Sequence, residues 1–326
     1  MNEPKSEIYS TITSTSTLTM VKVSKNGMPR PKMRWITHIL LILACFFVSI
    51  PALLAVRLST LNLQESFELA PVFLPFGDDL FTNISVLFGA PDPDLQVGGG
   101  ATSVSAQQGS SHNFARLISN TVIVALVVVI GKTGLSLLAG FAFVYFRFPG
   151  KNIVFFFILL TLLMPTEIIL TPLRTLMADL NWSGNYPQLA LTMPFIASAF
   201  GTFLFRQHFS NIPRELAEAS QIDGASPLRF FVSILIPMSW NVIMAMALIQ
   251  FIYMWNQYIW PQVIFNNVNS PDQLIQVGVR RAALSGQNSD FGLLMTAGII
   301  ASLPPLFLFV LLQKQFMSGF AITRDK

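Results

Sequence analysis

Charge is what this sequence has least of. Of 326 residues only 36 are Lys, Arg, Asp or Glu, 11% of the chain, where an average soluble domain carries about 25%. Hydrophobic residues make up 52%, Phe alone contributes 29, and the mean hydropathy is +0.58. So few charges cannot coat so much apolar surface in water, which excludes a soluble globule, and the same apolar content excludes a disordered chain. An integral membrane protein remains. Cysteine is almost absent. A lone Cys45 excludes an internal disulfide and any multi-cysteine zinc or iron–sulfur site, and within an apolar run it reads as a small packed hydrophobe. The three histidines, His38, His112 and His208, share no helix face, which argues against a histidine metal site. Gly131-Lys132-Thr133 imitates the end of a phosphate-binding loop, but the Gly required five positions earlier is Leu126. Nucleotide hydrolysis by this chain is therefore not expected.

What the chain does have is long apolar runs. A membrane helix needs about 20 mostly apolar residues. Six stretches meet this, at about 35–56, 117–146, 153–173, 189–205, 239–260 and 293–313. The first follows a long polar leader and has too long an apolar core for a cleaved signal peptide. Backbone groups in lipid must satisfy one another, so the expected fold is an all-α bundle. Of the 20 Lys and Arg residues, this arrangement leaves fourteen on the side of the N-terminus, five opposite and Lys132 within a span. That bias expects both termini in the cytoplasm. The expected domains are a disordered tail over 1–34, a membrane domain over 35–320 and a short cytoplasmic tail over 321–326. Within the membrane domain, 57–116 reads as an external linker with a Gly/Ser/Gln-rich stretch over 98–111. Lys132 and Glu167 are the ionisable residues deep within spans, and burial there is costly enough that each asks for a cavity or a partner. Pro165 is expected to end or kink the helix before Glu167.

The cytoplasmic segment 206–238 is the most informative part. Asn211 is expected to cap a helix and Pro213 to occupy its first turn. Leu216, Ala219 and Ser220 fall on one helical face, with Ile222 near it. Asp223-Gly224 breaks the helix, because Gly reaches positive φ cheaply. Ser226 then caps a second helix with Pro227 at its first position. Read blandly, this is an interfacial amphipathic hairpin; read functionally, it is a docking element for a soluble partner.

Its residues decide between the two. Glu218-Ala219-Ser220, Gly224 three residues on and Ile234-Leu235-Ile236-Pro237 after nine more resemble the EAA loop of ATP-binding-cassette (ABC) importer permeases, E-A-A-x3-G-x9-I-x-L-P. Ser220 stands for the third-position Ala and Ile236 for Leu. Gly131-Lys132, Phe141-Ala142-Phe143 and Arg147-Phe148-Pro149 are similar to the second span of carbohydrate-type permeases. Ile222-Asp223-Gly224-Ala225-Ser226-Pro227-Leu228-Arg229 and Trp255-Asn256-Gln257-Tyr258-Ile259-Trp260-Pro261 look most like the second permease subunit of sn-glycerol-3-phosphate importers. The resemblance covers about 35–320.

It implies a type I importer permease of six helices in the bacterial cytoplasmic membrane. The chain would pair with a second permease subunit, dock two ABC ATPases and receive solute from an extracytoplasmic binding protein. No cofactor is expected on this chain, ATP and Mg being held by the ATPases. Glu218, Ala219, Ser220, Asp223, Gly224, Ile234 and Pro237 would form the ATPase-coupling surface, Glu218 pairing with a basic residue. The implied solute is sn-glycerol-3-phosphate or a glycerophosphodiester, with a di- or oligosaccharide as the alternative. Trp255, Asn256, Gln257, Tyr258, Trp260 and Glu167 are candidates for the translocation path, since amides and aromatic faces suit polyols; an interfacial aromatic belt is the competing reading. Arg280 and Arg281 are expected to contact the binding protein. A self-contained secondary transporter would need internal repeats or intramembrane ion sites; six spans, no clear repeat and the cytoplasmic hairpin argue against it.

Overall fold

A computed structural model describes residues 34–61, 76–90, 113–265, 270–283 and 291–320. The N-terminal residues 1–33, expected to be disordered, the stretch 98–111, expected to be flexible, and the C-terminal tail 321–326 lie outside the described residues. The described residues are helical. In chain order they form α1 (Arg34–Leu58), α2 (Leu80–Leu87), α3 (Phe114–Tyr145), α4 (Lys151–Leu160), α5 (Thr166–Asp179), α6 (Trp182–Asn185), α7 (Pro187–Thr192), α8 (Ala199–Ser210), α9 (Arg214–Ile222), α10 (Pro227–Phe230), α11 (Ile236–Met238), α12 (Trp240–Trp255), α13 (Ile259–Ile264), α14 (Ile275–Ala283) and α15 (Phe291–Phe320).

Contacts divide the chain into two units at Pro51. The first holds most of α1, whose apolar side chains are exposed from Trp35 onward. Such a helix closes its own backbone and needs only an apolar solvent.

Three helices are each long and apolar enough to cross a membrane: Thr37–Leu58, Phe114–Tyr145 and Phe291–Met317. The other three expected spans are bent pairs, so the count reaches six when each pair is taken as one span. The third was expected over 153–173 with an end or kink at Pro165, and Lys151–Leu163 and Glu167–Asp179 meet there at 102°. Pro165 is the cause: it donates no N–H and holds Met164 extended at ψ 122°. The thirteen residues before the break reach only about 20 Å, short of a hydrocarbon core of about 30 Å. The fourth bends by 43° between Pro187–Phe195 and Ala199–Ser210. There Ser198 restarts the helix by accepting the N–H of Gly201 at 3.0 Å. The fifth was expected over 239–260. It begins earlier, as Pro227–Met238 joined to Trp240–Trp255 at 75°, and it ends at Trp255.

The expected linker 57–116 contains structure of its own. In α2, Val86 and Leu87 are buried, and the Asn83 amide donates to the carbonyls of Ser59 (3.0 Å) and Leu61 (3.1 Å).

The second unit is built on α3. Its small residues let neighbours approach: a Cβ at Gly140 would stand 2.7 Å from the Cβ of Phe205 on α8. Two apolar clusters result. One gathers Val128, Leu191, Met254, Trp255, Trp260, Leu274 and Ala297. The other gathers Phe141, Phe205, Phe209, Phe231, Leu235 and Met246, and extends to Ala217 and Phe230, so it is the floor under α9 and α10.

Candidate functional site

The segment between α8 and α12 is a helical elbow. Asn211 ends α8 rather than starting α9, its N–H donating to His208 O at 3.1 Å and that of Ile212 to Phe209 O at 3.2 Å. Pro213 stands just before α9, not in its first turn, with φ −55° and ψ 133° and without a side-chain cap. The Pro213 ring holds φ near its usual value and offers no side-chain acceptor to the first-turn N–H groups of α9. The far end of α9 closes as a Schellman turn. The N–H of Ala225 reaches Ser220 O at 2.9 Å and that of Gly224 reaches Gln221 O at 3.0 Å. Gly224 sits at φ +74°, the left-handed region where a Cβ is penalised. Ser226 then caps α10 by accepting the N–H of Arg229 at 3.3 Å, with Pro227 at the first position.

The faces of α9 divide differently from the helical count. Ala217 and Ser220 turn inward and are buried, while Leu216, Glu218, Ala219, Gln221, Ile222 and Asp223 are exposed. Ile222 is 86% exposed. Ser220 thus separates from Leu216 and Ala219, with which it was grouped, and turns with Ala217 toward the floor provided by Phe141, Tyr145 and Phe230. A cavity of ≈130 Å³ lies between that floor and Ala217, Ser220, Gln221 and Ala225. Ser220 Oγ donates to Ala217 O at 2.8 Å, so its hydroxyl is spent inside its own helix.

Beyond α10 the chain passes through a π-turn (Phe231–Leu235) into α11, where Ile234 is half-buried and Pro237 exposed. Ser239 marks the 75° bend into α12; it is fully buried, and its hydroxyl lies 3.1 Å from His208 Nε2. That bond ties the end of α8 to the hinge, so the elbow is held at both roots. Sequence reasoning missed it, since His208 carried only the signal of a lone polar residue at a helix end.

The run 255–260 behaves otherwise. Trp255 and Trp260 are each 1% exposed. Their indole N–H groups donate to Ala301 O (2.8 Å) and Ala190 O (3.1 Å), and their rings pack on Phe251 and Phe195. Neither ring offers an open face for stacking here, because both complete the core. Asn256 is exposed and closes α12, its amide donating to Ile252 O at 2.9 Å and accepting from Gln276 Nε2 at 3.3 Å. Gln257 and Tyr258 are half-buried. A cavity of ≈300 Å³ opens beside Asn256, lined also by Trp255, Gln276, Gly298, Ser302 and Pro305 among others. Gln276 was missed because its segment reads as loop, where the structure has α14.

Arg280 and Arg281 are on that same helix. Arg280 is exposed, with its guanidinium donating to the Tyr258 hydroxyl and lying 5.2 Å from the ring centre. Arg281 is half-buried, and burial lowers the pKa of its guanidinium. Glu167 is exposed in the first turn of α5, where a carboxylate suits the positive helix end. Among the described residues no group of three His, Cys, Asp or Glu side chains gathers to hold a metal ion.

The chain is an apolar helical bundle that presents an exposed, charged elbow, with Glu215, Glu218 and Asp223 beside Arg214 and Arg229. The chain belongs to the family of binding-protein-dependent transport system inner membrane components, whose model matches residues 132–320. This places it in the inner membrane as a multi-pass subunit of an ABC importer, a transport component rather than an enzyme. It is 35% identical over 284 residues to the sn-glycerol-3-phosphate transport system permease protein UgpE of Pectobacterium atrosepticum, covering 87% of this chain and 94% of that one. With the UgpE protein of Escherichia coli K12 it shares 34% over 291 residues, 89% and 96% of the two chains. In fold it is similar to a chain of a bacterial ABC transporter that imports the acidic polysaccharide alginate. There the TM-score is 0.68 and the identity 18%, over 89% of this chain and 100% of that one.

Proposed function

We propose that this chain forms one half of the membrane pore of an importer for sn-glycerol-3-phosphate or a glycerophosphodiester, driven by ATP hydrolysis on partner subunits. The observation that carries the solute is the identity of about one third, over nearly the whole chain, to permeases of that transport system. In this reading each bent pair is one span, giving six, and the excess of Lys and Arg on one side supports cytoplasmic termini. A second permease subunit completes the pore, and two ABC ATPases, which hold ATP and Mg, dock on the elbow. Glu218, Ala219, Asp223 and the exposed Pro237 face the ATPase, Gly224 shapes the turn, and Ser220 and Ile234 hold the segment on its floor. ATPase closure moves the elbow as a rigid piece and α12 with it.

An extracytoplasmic binding protein delivers solute on the opposite side, near Arg280 and Arg281. The path passes Asn256, Gln257 and Tyr258, with Trp255 and Trp260 as its buried supports and Glu167 at its margin. Calorimetry on the cognate binding protein tests the solute. Tight binding of sn-glycerol-3-phosphate or glycerophosphocholine is expected; binding of maltose-like sugars alone would replace the phosphate ester with an oligosaccharide and leave the importer architecture standing.

A further inference from the structure

One buried charge has no use in the elbow or in the run 255–260. Lys132 lies in the middle of α3 and is 7% exposed. Its ammonium donates to Gln250 Oε1 of α12 at 3.0 Å and stands 5.5 Å from the centre of the Tyr253 ring. Among the described residues no carboxylate pairs with it. A cation at such depth is costly, and an amide and a ring face stabilise it without neutralising it.

The neighbourhood is rich in unspent donors. An ammonium has three N–H groups, and one is used here. The Gln250 NH₂ meets only the Met246 sulfur, at 3.8 Å. Ser136, one turn along the same face of α3, has a buried hydroxyl without a hydrogen-bond partner, as does Thr133. What such a cluster lacks is an acceptor with negative charge. Tyr253 is 43% exposed, so the cluster reaches the surface of the chain on one side.

We infer that Lys132, Gln250 and Tyr253 form an anion-binding site within the membrane path, taking the oxyanion of the solute as it crosses. The inference rests on the reading of the solute as a phosphate ester. The ammonium supplies the charge, the Gln250 amide supplies further hydrogen bonds, and the Tyr253 ring holds the ammonium when no anion is present. Because α12 continues from the elbow through the bend at Ser239, movement of the elbow shifts Gln250 against Lys132. The number of donors facing the anion then changes between the two states of the pore, so the solute is held in one and released in the other.

The test uses the complete importer in lipid vesicles, with both permease subunits, the ATPase and the binding protein, and follows uptake of labelled sn-glycerol-3-phosphate. Gln250→Glu keeps the shape and places a carboxylate on the ammonium, filling the site from within. Uptake is expected to fall about tenfold to a hundredfold, the worth of a hydrogen bond to a charged group. Lys132→Gln should fall as far and Lys132→Arg less, while the complex still assembles. Should Lys132→Gln fail to assemble, Gln250→Glu decides alone. Wild-type uptake by Gln250→Glu, with a higher melting temperature, would make Lys132 a structural charge awaiting a carboxylate, for instance from the second permease subunit, and overturn the inference. That result with normal uptake by the unmodified importer sinks the anion site only. An unmodified importer that carries neutral sugar and no phosphate ester sinks the solute reading, and the anion site with it.

Discussion

The elbow and the run 255–260 treat their polar groups in opposite ways. In the elbow the backbone is closed on itself by the turn at Gly224 and the cap at Ser226, while Glu218, Asp223, Leu216 and Ile222 are left outward. In the run 255–260 the side chains are what is spent: both indoles donate into the core, Asn256 closes a helix end, and Tyr258 accepts from Arg280. A docking element needs a rigid backbone and free side chains. A supporting element needs the reverse, and the two patterns are equally rich in conspicuous residues when only the sequence is seen.

The sharpest way to break this contrast is at the tryptophans. Trp260→Ala should destabilise the protein by about 3 to 5 kcal/mol, the range for emptying a large buried aromatic site. It should appear as loss of detergent-extractable complex. Trp255→Phe keeps most of the ring volume and leaves Ala301 O without its donor, for about 1 to 3 kcal/mol. Its melting temperature should fall while the solute preference and KM stay unchanged. A KM shift at an unchanged melting temperature would return this ring to the path and end its role as a support.

A smaller effect on stability and a larger one on function are expected in the elbow. Gly224→Val forces a β-branched residue to φ +74°, a strain of about 1 to 2 kcal/mol. Binding-protein-stimulated ATP hydrolysis should uncouple from uptake before the protein unfolds. Glu218→Gln should leave the melting temperature where it is, since the carboxylate is exposed, and still reduce uptake and copurification of the ATPase. Equal ATPase copurification with the Glu218→Gln variant would show that the docking surface lies elsewhere.

How much of this was legible follows from the same contrast. The turn at Gly224 and the cap at Ser226 were readable because Gly and Ser act through their own backbone positions, and local chemistry is visible locally. The breaks in the third and fifth spans were only half legible. Pro165 announced a kink, but its 102° depends on what α5 packs against, and the early end of α12, where Asn256 bonds back to Ile252 O, was masked by the uncharged run on to Trp260. The inward turn of Ser220 was hidden because the floor is made by Phe141 and Phe230 from other helices. Arg280 and Gln276 were read as loop because α14 is short and its sequence carries few helix signals.

Ser220 supplies the finest test. The family pattern has Ala there, so Ser220→Ala asks whether this third position acts by docking or by packing. Its hydroxyl is buried, yet it donates only to Ala217 O, one turn back in its own helix. Such a bond competes with the helix more than it supports the fold, and Ala has the better helix propensity by about 0.5 kcal/mol. Loss of the hydroxyl leaves no partner on another helix unsatisfied. The two terms nearly cancel, so Ser220→Ala should move the melting temperature by a degree or two at most, by the scaling of stability with temperature, and leave coupling as it was. Reduced coupling in Ser220→Ala, at unchanged stability, would mean that residue 220 meets the ATPase and that α9 turns on its axis when the partner docks.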